Sequence, residues 1–175
     1  DLSRNLAAIA SAADRGCLVI AYLHHHHWAS DWRQVPDWVS PIARQCIDAG
    51  AAIFVSHGAP VLQPVEIYQR RPIFYSLGNF IFHVRTENSV WTSPEVWESV
   101  VGLCEFDEDN TLVQMRFYPI ALGGGASKNE VFERRLVPEL ASGARGKRIL
   151  RQFAQRSERF GTHIRVKDGV GVLNI

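Results

Sequence analysis

Over residues 1–56, the spacing of apolar positions predicts a helix followed by a strand, a second helix and a second strand. Residues 3–15 (SRNLAAIASAADR) carry apolar side chains at helical spacing, and a glycine follows them as a stop. Residues 17–23 and 51–56 are short continuous apolar runs, which indicate buried strands, and residues 41–49 between them have a helical pattern. A strand, a helix and a strand in this order predict a right-handed βαβ unit with parallel strands.

After the second predicted strand, the periodicity changes to that of antiparallel strands. The stretch VEIYQRRPIFY predicts a hairpin with strands at 65–68 and 72–75. Residues 100–106 and 112–118 flank the acidic turn DEDN and predict a second antiparallel pair. Residues 144–160 have the pattern of a basic amphipathic helix, and a short strand or two is expected to end the chain. The predicted fold class is therefore α/β, with a βαβ unit followed by antiparallel strands.

The composition fits a single globular domain over residues 1–175. Hydrophobic residues make up 46% of the chain, and the formal net charge of +1 indicates no particular class of partner. No apolar run approaches the roughly 20 residues of a membrane helix, and no nucleic-acid-binding module is recognisable. We therefore expect neither a nucleic-acid partner nor a membrane segment within this chain.

The cysteines bear on the cellular compartment. The chain has three cysteines, namely Cys17, Cys46 and Cys104. Their odd number, wide spacing and apolar surroundings predict buried, reduced thiols. Reduced thiols favour a cytoplasmic location. The chain opens at Asp1 without a methionine, so a preceding segment that places the protein at a membrane or outside the cytoplasm stays open.

The stretch YLHHHHWASDW places four consecutive histidines directly after the first predicted strand. His57 follows the second predicted strand, in SHGAP. Ligands of parallel sheets bind at the carboxyl ends of the strands, so two neighbouring strand ends can bring these histidines together. Gly58 indicates a place where the backbone must approach a ligand closely. The histidine run is thus a candidate metal site rather than an accident of composition.

Three stretches resemble one protein family. They are IDAGAAIFVSHGAPVLQPVEIYQRRPIFYSLGNFIF, VIAYLHHHH and ILRQFAQRSERFGTHI, and together they cover most of the chain. They resemble the CapA-type poly-γ-glutamate capsule-biosynthesis family, a branch of the calcineurin-like metallophosphoesterase superfamily. The resemblance implies a divalent metal (Mn, Zn, Fe, Mg or Ca) and a peptide or γ-glutamyl polymer as substrate.

The resemblance also implies that residues 1–175 are the C-terminal portion of a larger metallophosphatase-like α/β sandwich. In the family, an earlier half-domain supplies further metal ligands, and we expect that half-domain to be a partner of this chain. If the segment is produced alone, we expect an exposed apolar sheet edge and poor solubility.

The resemblance implies roles for individual histidines. His24 or His26 stands where the superfamily has its lone histidine ligand, and both are expected on one face of the extended segment, as metal ligand and near neighbour. His57 is expected to be a metal ligand, a catalytic acid/base or both, because its imidazole titrates near neutrality. His27 stands where relatives often carry glutamate, which makes it a second candidate for a catalytic acid/base or a further ligand, and His25 is expected to be a bystander.

The family pattern has a second histidine where this chain has Pro60, so one expected ligand is absent. Four further residues are candidates for substrate binding or for orienting a ligand: Ser76 and Asn79 of SLGNF, Glu66 and Trp28. Each has a structural alternative, namely a hairpin corner for SLGNF, a strand face for the glutamate and loop packing for the tryptophan. Ten basic residues between positions 134 and 167, against two acidic ones, indicate either a solvated helix face or attraction for a polyanion.

Three functions follow as hypotheses. The first is a metal-dependent protein that acts in the synthesis or processing of a γ-glutamyl polymer or related peptide, by polarising a carbonyl or activating water. The second is a metal-dependent peptide epimerase that uses histidine acid/base chemistry. The third is a non-catalytic scaffold of a polymer-synthesis complex, because fold likeness alone is a weak argument for activity.

Overall fold

The structure is a computed structural model that describes residues 1–82, 91–123 and 137–175. The helices are α1 (Ser3–Asp14), α2 (Val39–Asp48), α3 (Gly143–Glu158) and a short 3₁₀ helix (Pro94–Trp97). The strands are β1 (Ile20–His24), β2 (Ile53–His57), β3 (Val65–Tyr68), β4 (Arg71–Phe74), β5 (Glu98–Phe106), β6 (Leu112–Ala121), β7 (Glu139–Leu140), β8 (Arg165–Lys167) and β9 (Val170–Asn174). None of these described helices combines the length and the apolar character needed to cross a membrane.

The first sheet contains the predicted βαβ unit. Its strand order is β1-β2-β4-β3, in which β1 pairs with β2 and β2 with β4 in parallel, and β3 pairs with β4 in the antiparallel direction. The β3–β4 connection is tight because Gln69 and Arg70 both adopt positive φ, as the turn of a two-residue hairpin requires. Both the parallel pair and the hairpin are therefore confirmed.

The second sheet is antiparallel, as the sequence predicts. Its strand order is β5-β6-β9-β8, and β7 pairs with β6. Strands β8 and β9 are the short strands expected after the basic helix, which is α3. The fold class is thus mixed α/β, with a parallel unit followed by antiparallel strands, and it is consistent with the metallophosphatase-like sandwich that the resemblance implies.

Two apolar clusters hold these elements together. In one, α1 and α2 cover one face of the first sheet around Ala43, Ile47, Phe54 and Ile73. In the other, the opposite face of the first sheet packs with the second sheet and with α3, and this cluster contains Phe74, Met115, Phe117, Leu150 and Phe153. The first sheet is therefore covered on both faces along β2 and β4, which is why these strands read as continuous apolar runs.

Strand β1 lies at one edge of the first sheet and is covered less completely than β2. The side chains of Ile20 and Tyr22 are 56% and 63% exposed, and Leu18 just before the strand is 42% exposed. The predicted apolar sheet edge is therefore present. The prediction that residues 17–23 are buried holds for only one face of the strand, because no described element packs on the other face.

The cysteine prediction needs one correction. Cys46 is buried and Cys104 is partly buried, and burial raises the pKa of Cys104 to about 11 and also raises the pKa of Cys46. Cys17, in contrast, is exposed, because it lies in the connection between α1 and the edge strand β1. All three are free thiols, as predicted.

Candidate functional site

The carboxyl ends of β1 and β2 bring two of the predicted histidines side by side. His24 and His57 are register partners across the parallel pair, and their rings are stacked with centroids 5.5 Å apart. The ladder continues one residue further, since the backbone N–H of His25 donates to the carbonyl of His57 at 3.0 Å. The expectation that neighbouring strand ends gather these histidines is therefore confirmed.

His26 joins the pair by strand alternation. The Nε2 atoms of His24 and His26 lie 2.8 Å apart, and the two ring centroids are separated by 4.8 Å. Two imidazole nitrogens at this distance can share a proton in one hydrogen bond or point at one cation. The ring of Trp28 lies 5.3 Å from that of His26, so this tryptophan forms one side of the cluster. We call His24, His26 and His57 the histidine cluster.

His57 is the most enclosed member of the histidine cluster. Its Nε2 lies 3.0 Å from the carbonyl oxygen of Gly78, and only a donor can face a carbonyl, so Nε2 carries the hydrogen. Burial lowers the pKa of His57, against the opposing effect of this hydrogen bond, and the neighbouring His24 and His26 lower it further. His57 is therefore neutral at pH 7, with an unprotonated Nδ1.

Gly58 allows the two strand ends to meet. Its φ is +127°, and a Cβ atom placed on it would lie 1.8 Å from the carbonyl oxygen of His25. A close approach is thus present at Gly58, but the group that approaches is the backbone of the histidine run, and the expected approach to a ligand stays a prediction. Any side chain at position 58 would push β1 away from β2 at the histidine cluster.

The SLGNF turn supplies the carbonyl that His57 contacts. Gly78 has a φ of +72°, and a Cβ there would meet the backbone of Glu98 at 2.8 Å. Ser76, which is buried, accepts the N–H of Gly78 at 3.1 Å and donates to the carbonyl of Ala59 at 3.1 Å. Ser76 therefore fixes the turn that holds His57, and it acts on the histidine cluster through that turn.

Asn79 anchors the same turn from the other side. Its Nδ2 donates to the carbonyl of Pro60 at 3.2 Å and to the carbonyl of Val96 at 3.0 Å. Both amide hydrogens are therefore used in holding backbone, and the histidine cluster is not among the partners of this side chain within the described residues. A role in orienting the site fits these contacts, and a role in binding substrate stays a prediction.

Replacing Ser76 with alanine is expected to lower the free energy of unfolding by about 1–3 kcal/mol, because the N–H of Gly78 and the carbonyl of Ala59 lose their buried partner. The ring of His57 is expected to lose its fixed orientation, which its imidazole NMR resonances would report. Ser11→Ala, at an exposed position of α1, is the matched control and should change stability by less than about 0.5 kcal/mol. Unchanged stability and unchanged His57 resonances in Ser76→Ala would show that the turn does not depend on this hydroxyl.

The other two histidines of the run differ from each other. His25 is only 7% exposed, its ring packs edge-on to Trp38 with centroids 4.7 Å apart, and its Nδ1 has no hydrogen-bond partner among the described residues. Burial lowers the pKa of His25, and His24 lowers it further. His25 therefore belongs to the core, and its role as a bystander stays a prediction. His27 is exposed, and within the ranges that the structure describes it contacts no ring of the histidine cluster, so its catalytic role stays a prediction.

Glu66 lies at the opposite edge of the first sheet from β1. Its buried carboxylate accepts from Arg44 of α2 at 2.7 Å and from the hydroxyl of Tyr75. Burial, followed by the hydrogen bond to Glu66, raises the pKa of Tyr75 well above its usual range. The structure thus does not bring Glu66 to the histidine cluster, and its contacts are those of a residue that ties α2 to the sheet.

Two contacts of the histidine cluster were not predicted. The hydroxyl of Tyr22 lies 3.4 Å from Nδ1 of His24, and strand alternation could have suggested it, because the two residues share one face. The hydrogen bond between His57 and the carbonyl of Gly78 could not be predicted from the sequence, since the two residues are 21 positions apart and belong to different elements.

The convergent nitrogens of His24 and His26 fit part of the ligand set of a divalent metal. With metal–nitrogen distances of about 2.0–2.1 Å, ligands at right angles lie about 2.9 Å apart and tetrahedral ligands about 3.3 Å apart. The observed 2.8 Å is close to the first value. Within residues 1–82, 91–123 and 137–175, no group of three or more His, Cys, Asp or Glu side chains is arranged to hold a metal ion. A complete coordination sphere therefore needs ligands beyond this pair.

Comparison with protein families gives a match to the first part of the chain. Residues 1–84 match a family described as bacterial capsule synthesis protein PGA_cap. The matched part contains both strands that carry the histidine cluster and the SLGNF turn that supports it.

Curated relatives agree with this match. The uncharacterized proteins y4sH and y4uA of Sinorhizobium fredii are each 33% identical to the chain over 217 aligned positions, which include 99% of the chain and 45% of either relative. The PGA biosynthesis protein CapA of Bacillus subtilis is 47% identical over 57 residues, which are 32% of the chain and 15% of that protein. The capsule biosynthesis protein CapA of Bacillus anthracis is 41% identical over 70 residues, which are 36% of the chain and 16% of that protein. The chain thus spans less than half the length of the Sinorhizobium relatives.

Proposed function

The chain belongs, through residues 1–84, to the PGA_cap family of bacterial capsule synthesis proteins, and from this membership we propose that it acts in making or processing a γ-glutamyl capsule polymer. The proposal includes a divalent metal that is bound in part by His24 and His26. It is supported by the names of the Bacillus relatives, which are proteins of PGA and capsule biosynthesis.

One observation carries the metal part of the proposal, namely the 2.8 Å separation of the Nε2 atoms of His24 and His26. A divalent ion bound there would polarise a carbonyl or lower the pKa of a bound water. We propose that its further ligands lie outside the described residues, in the part of the protein that corresponds to the remaining length of the relatives.

His57 would serve this chemistry as a proton acceptor. Its ring is fixed by the carbonyl of Gly78 and by stacking on His24, and its lowered pKa keeps it neutral at pH 7. A neutral imidazole with an unprotonated Nδ1 can accept a proton from water or from a peptide group and then return it. A histidine that is already protonated could not begin such a cycle.

The experiment that tests the proposal is metal analysis by mass spectrometry combined with an assay on a γ-glutamyl polymer. We expect near-stoichiometric metal in the purified protein, a change in polymer length on incubation, and loss of that change after chelation with recovery on adding metal back. If the peptide is converted without a change in mass, the reaction is epimerisation rather than a change in polymer length. No bound metal under metal-replete conditions would contradict every metal-dependent version of the proposal.

A non-catalytic role is the second candidate, and one observation favours it. The described residues hold two neighbouring nitrogens and no third ligand, so the part of the chain that the structure describes does not contain a complete metal centre. A scaffold of a polymer-synthesis complex would bind the polymer without changing its length. Binding without turnover in the metal-replete protein would select this candidate.

A further inference from the structure

The loop that follows the histidines lines two cavities on the side of the molecule where α3 ends. One cavity, of about 270 Å³, is lined by residues of this loop, of the segment 93–97 and of the last turns of α3. The other, of about 520 Å³, is lined by residues 30–33, Val61 and the same 93–97 segment. Asp31, Arg33 and Glu95 line both cavities, so the two spaces adjoin at these three side chains.

A chain of ion pairs fixes the wall between the cavities. Glu95 accepts from Nε of Arg33 at 2.8 Å and from a terminal nitrogen of Arg156 at 3.0 Å. Arg33 also pairs with Asp31 at 3.2 Å, and Arg156 donates to the carbonyl of Leu62 at 2.6 Å. The side chains of Glu95 and Arg156 are each only 14% exposed. The wall is thus organised before any ligand arrives.

The smaller cavity carries an uncompensated positive charge. Three guanidinium groups line it, from Arg33, Arg156 and Arg159, against the two carboxylates of Asp31 and Glu95. Within the part of the chain that the structure describes, Arg159 makes no ion pair and one terminal nitrogen of Arg33 makes no hydrogen bond. These donors are therefore available to a ligand, whereas both terminal nitrogens of Arg156 already bind Leu62 and Glu95.

We propose that this cavity, which we call the arginine cavity, binds a single carboxylate group of an acidic peptide through Arg159 and Arg33. One net positive charge matches a monoanionic carboxylate and leaves a phosphate dianion half compensated. Arginine forks bind carboxylates with two parallel hydrogen bonds. The inference rests on the proposed function for the identity of the peptide, a γ-glutamyl chain, whose side groups are carboxylates spaced along its length.

The position of the arginine cavity suits a subsite of the histidine cluster. Trp28 packs against His26, and the same loop reaches Arg33 at the cavity five residues later. The cavity is also lined by Glu95, next to Val96, whose carbonyl holds Asn79 of the turn that supports His57. A peptide anchored at Arg159 and Arg33 would therefore lie beside the loop that begins at the histidine run.

The test is calorimetric binding of tri-γ-glutamate to the purified protein, with inorganic phosphate as the second probe. We expect Arg159→Gln to raise the dissociation constant for tri-γ-glutamate by about tenfold or more, because a charge-assisted hydrogen bond is lost. Arg151→Gln is the matched control, because Arg151 is exposed on α3, whose C-cap is Arg159, carries the same charge and lies outside the arginine cavity. The control should bind within about twofold of the wild type, since only long-range attraction changes.

Three outcomes would overturn the inference. Equal weakening in Arg159→Gln and Arg151→Gln would show general electrostatic attraction, and phosphate binding as tight as tri-γ-glutamate would show an unselective anion site. Absence of tri-γ-glutamate binding in the wild type would overturn it outright. The titrations are made after chelation, so they do not depend on a metal, and failure of the metal chemistry leaves their result unaffected.

Discussion

Replacing Gly58 with alanine is expected to destabilise the protein by more than about 4 kcal/mol, beyond the range of ordinary point substitutions. The added Cβ would lie 1.8 Å from the carbonyl oxygen of His25, and this atom belongs to the backbone of the neighbouring strand end. The alanine at position 58 would also have to adopt a φ of +127°, a conformation that residues other than glycine rarely adopt. Since neither the carbonyl nor the peptide can rotate away, β1 must separate from β2.

Urea unfolding of Gly58→Ala beside Gly161→Ala measures this effect. Gly161 also has a positive φ, of +71°, but a Cβ on it would meet nothing within 4 Å. The control should therefore lose only about 1–2 kcal/mol, which is the ordinary penalty of a left-handed residue. Equal losses in the two variants would mean that strain at φ alone, and not the contact with His25, makes position 58 a glycine.

Replacing His24 and His26 together by alanine is expected to lower the affinity for a divalent metal at least about 100-fold. Loss of groups that only orient ligands already lowers metal affinity by about 10–100-fold, and these imidazoles are the proposed ligands themselves. The two single variants should be strongly non-additive, because either loss leaves one isolated nitrogen. Competition with a chelator of known affinity would give the three dissociation constants.

Two further variants make this experiment specific. His163→Ala removes an exposed histidine far along the chain, after α3, and should leave metal affinity unchanged. His57→Ala should retain the metal but lose the reaction on the polymer, because its Nε2 is engaged by Gly78 and its proposed task is proton transfer. Metal affinity that survives the double replacement would remove His24 and His26 from the metal site.

Most of the fold was predictable because hydrophobic periodicity reports burial directly. The helical spacing of residues 3–15 and the apolar runs at 17–23 and 51–56 gave α1, β1 and β2 with errors of a few residues at the ends. The exposed face of β1 was not predictable from that pattern, since Ile20 and Tyr22 are as apolar as the side chains that are covered. Periodicity identifies which residues are suited to be covered, and it cannot say whether the covering element belongs to the same segment.

The histidine cluster was predictable for a related reason. Strand alternation places His24 and His26 on one side, and parallel pairing places His57 beside them, so both rules act over short distances. The surroundings were not predictable, because they depend on contacts between distant elements. Glu66 was a candidate by its chemistry alone, and only the structure shows that Arg44 and Tyr75 already satisfy it. The ion pair between Glu95 and Arg156, 61 positions apart, likewise left no local signal.

The register between His24 and His57 makes the histidine cluster sensitive to any change in the number of residues within β1. Neighbouring residues of a strand face opposite sides, so loss or gain of a single codon within β1 would present His25 or Leu23 where His24 now stands. The length of the loop from Trp28 to Trp38 does not set the pairing of β1 with β2, but this loop carries Asp31 and Arg33 of the arginine cavity, so a change in its length would act on that cavity. Among natural variants of this protein, insertions and deletions within β1 should therefore be absent.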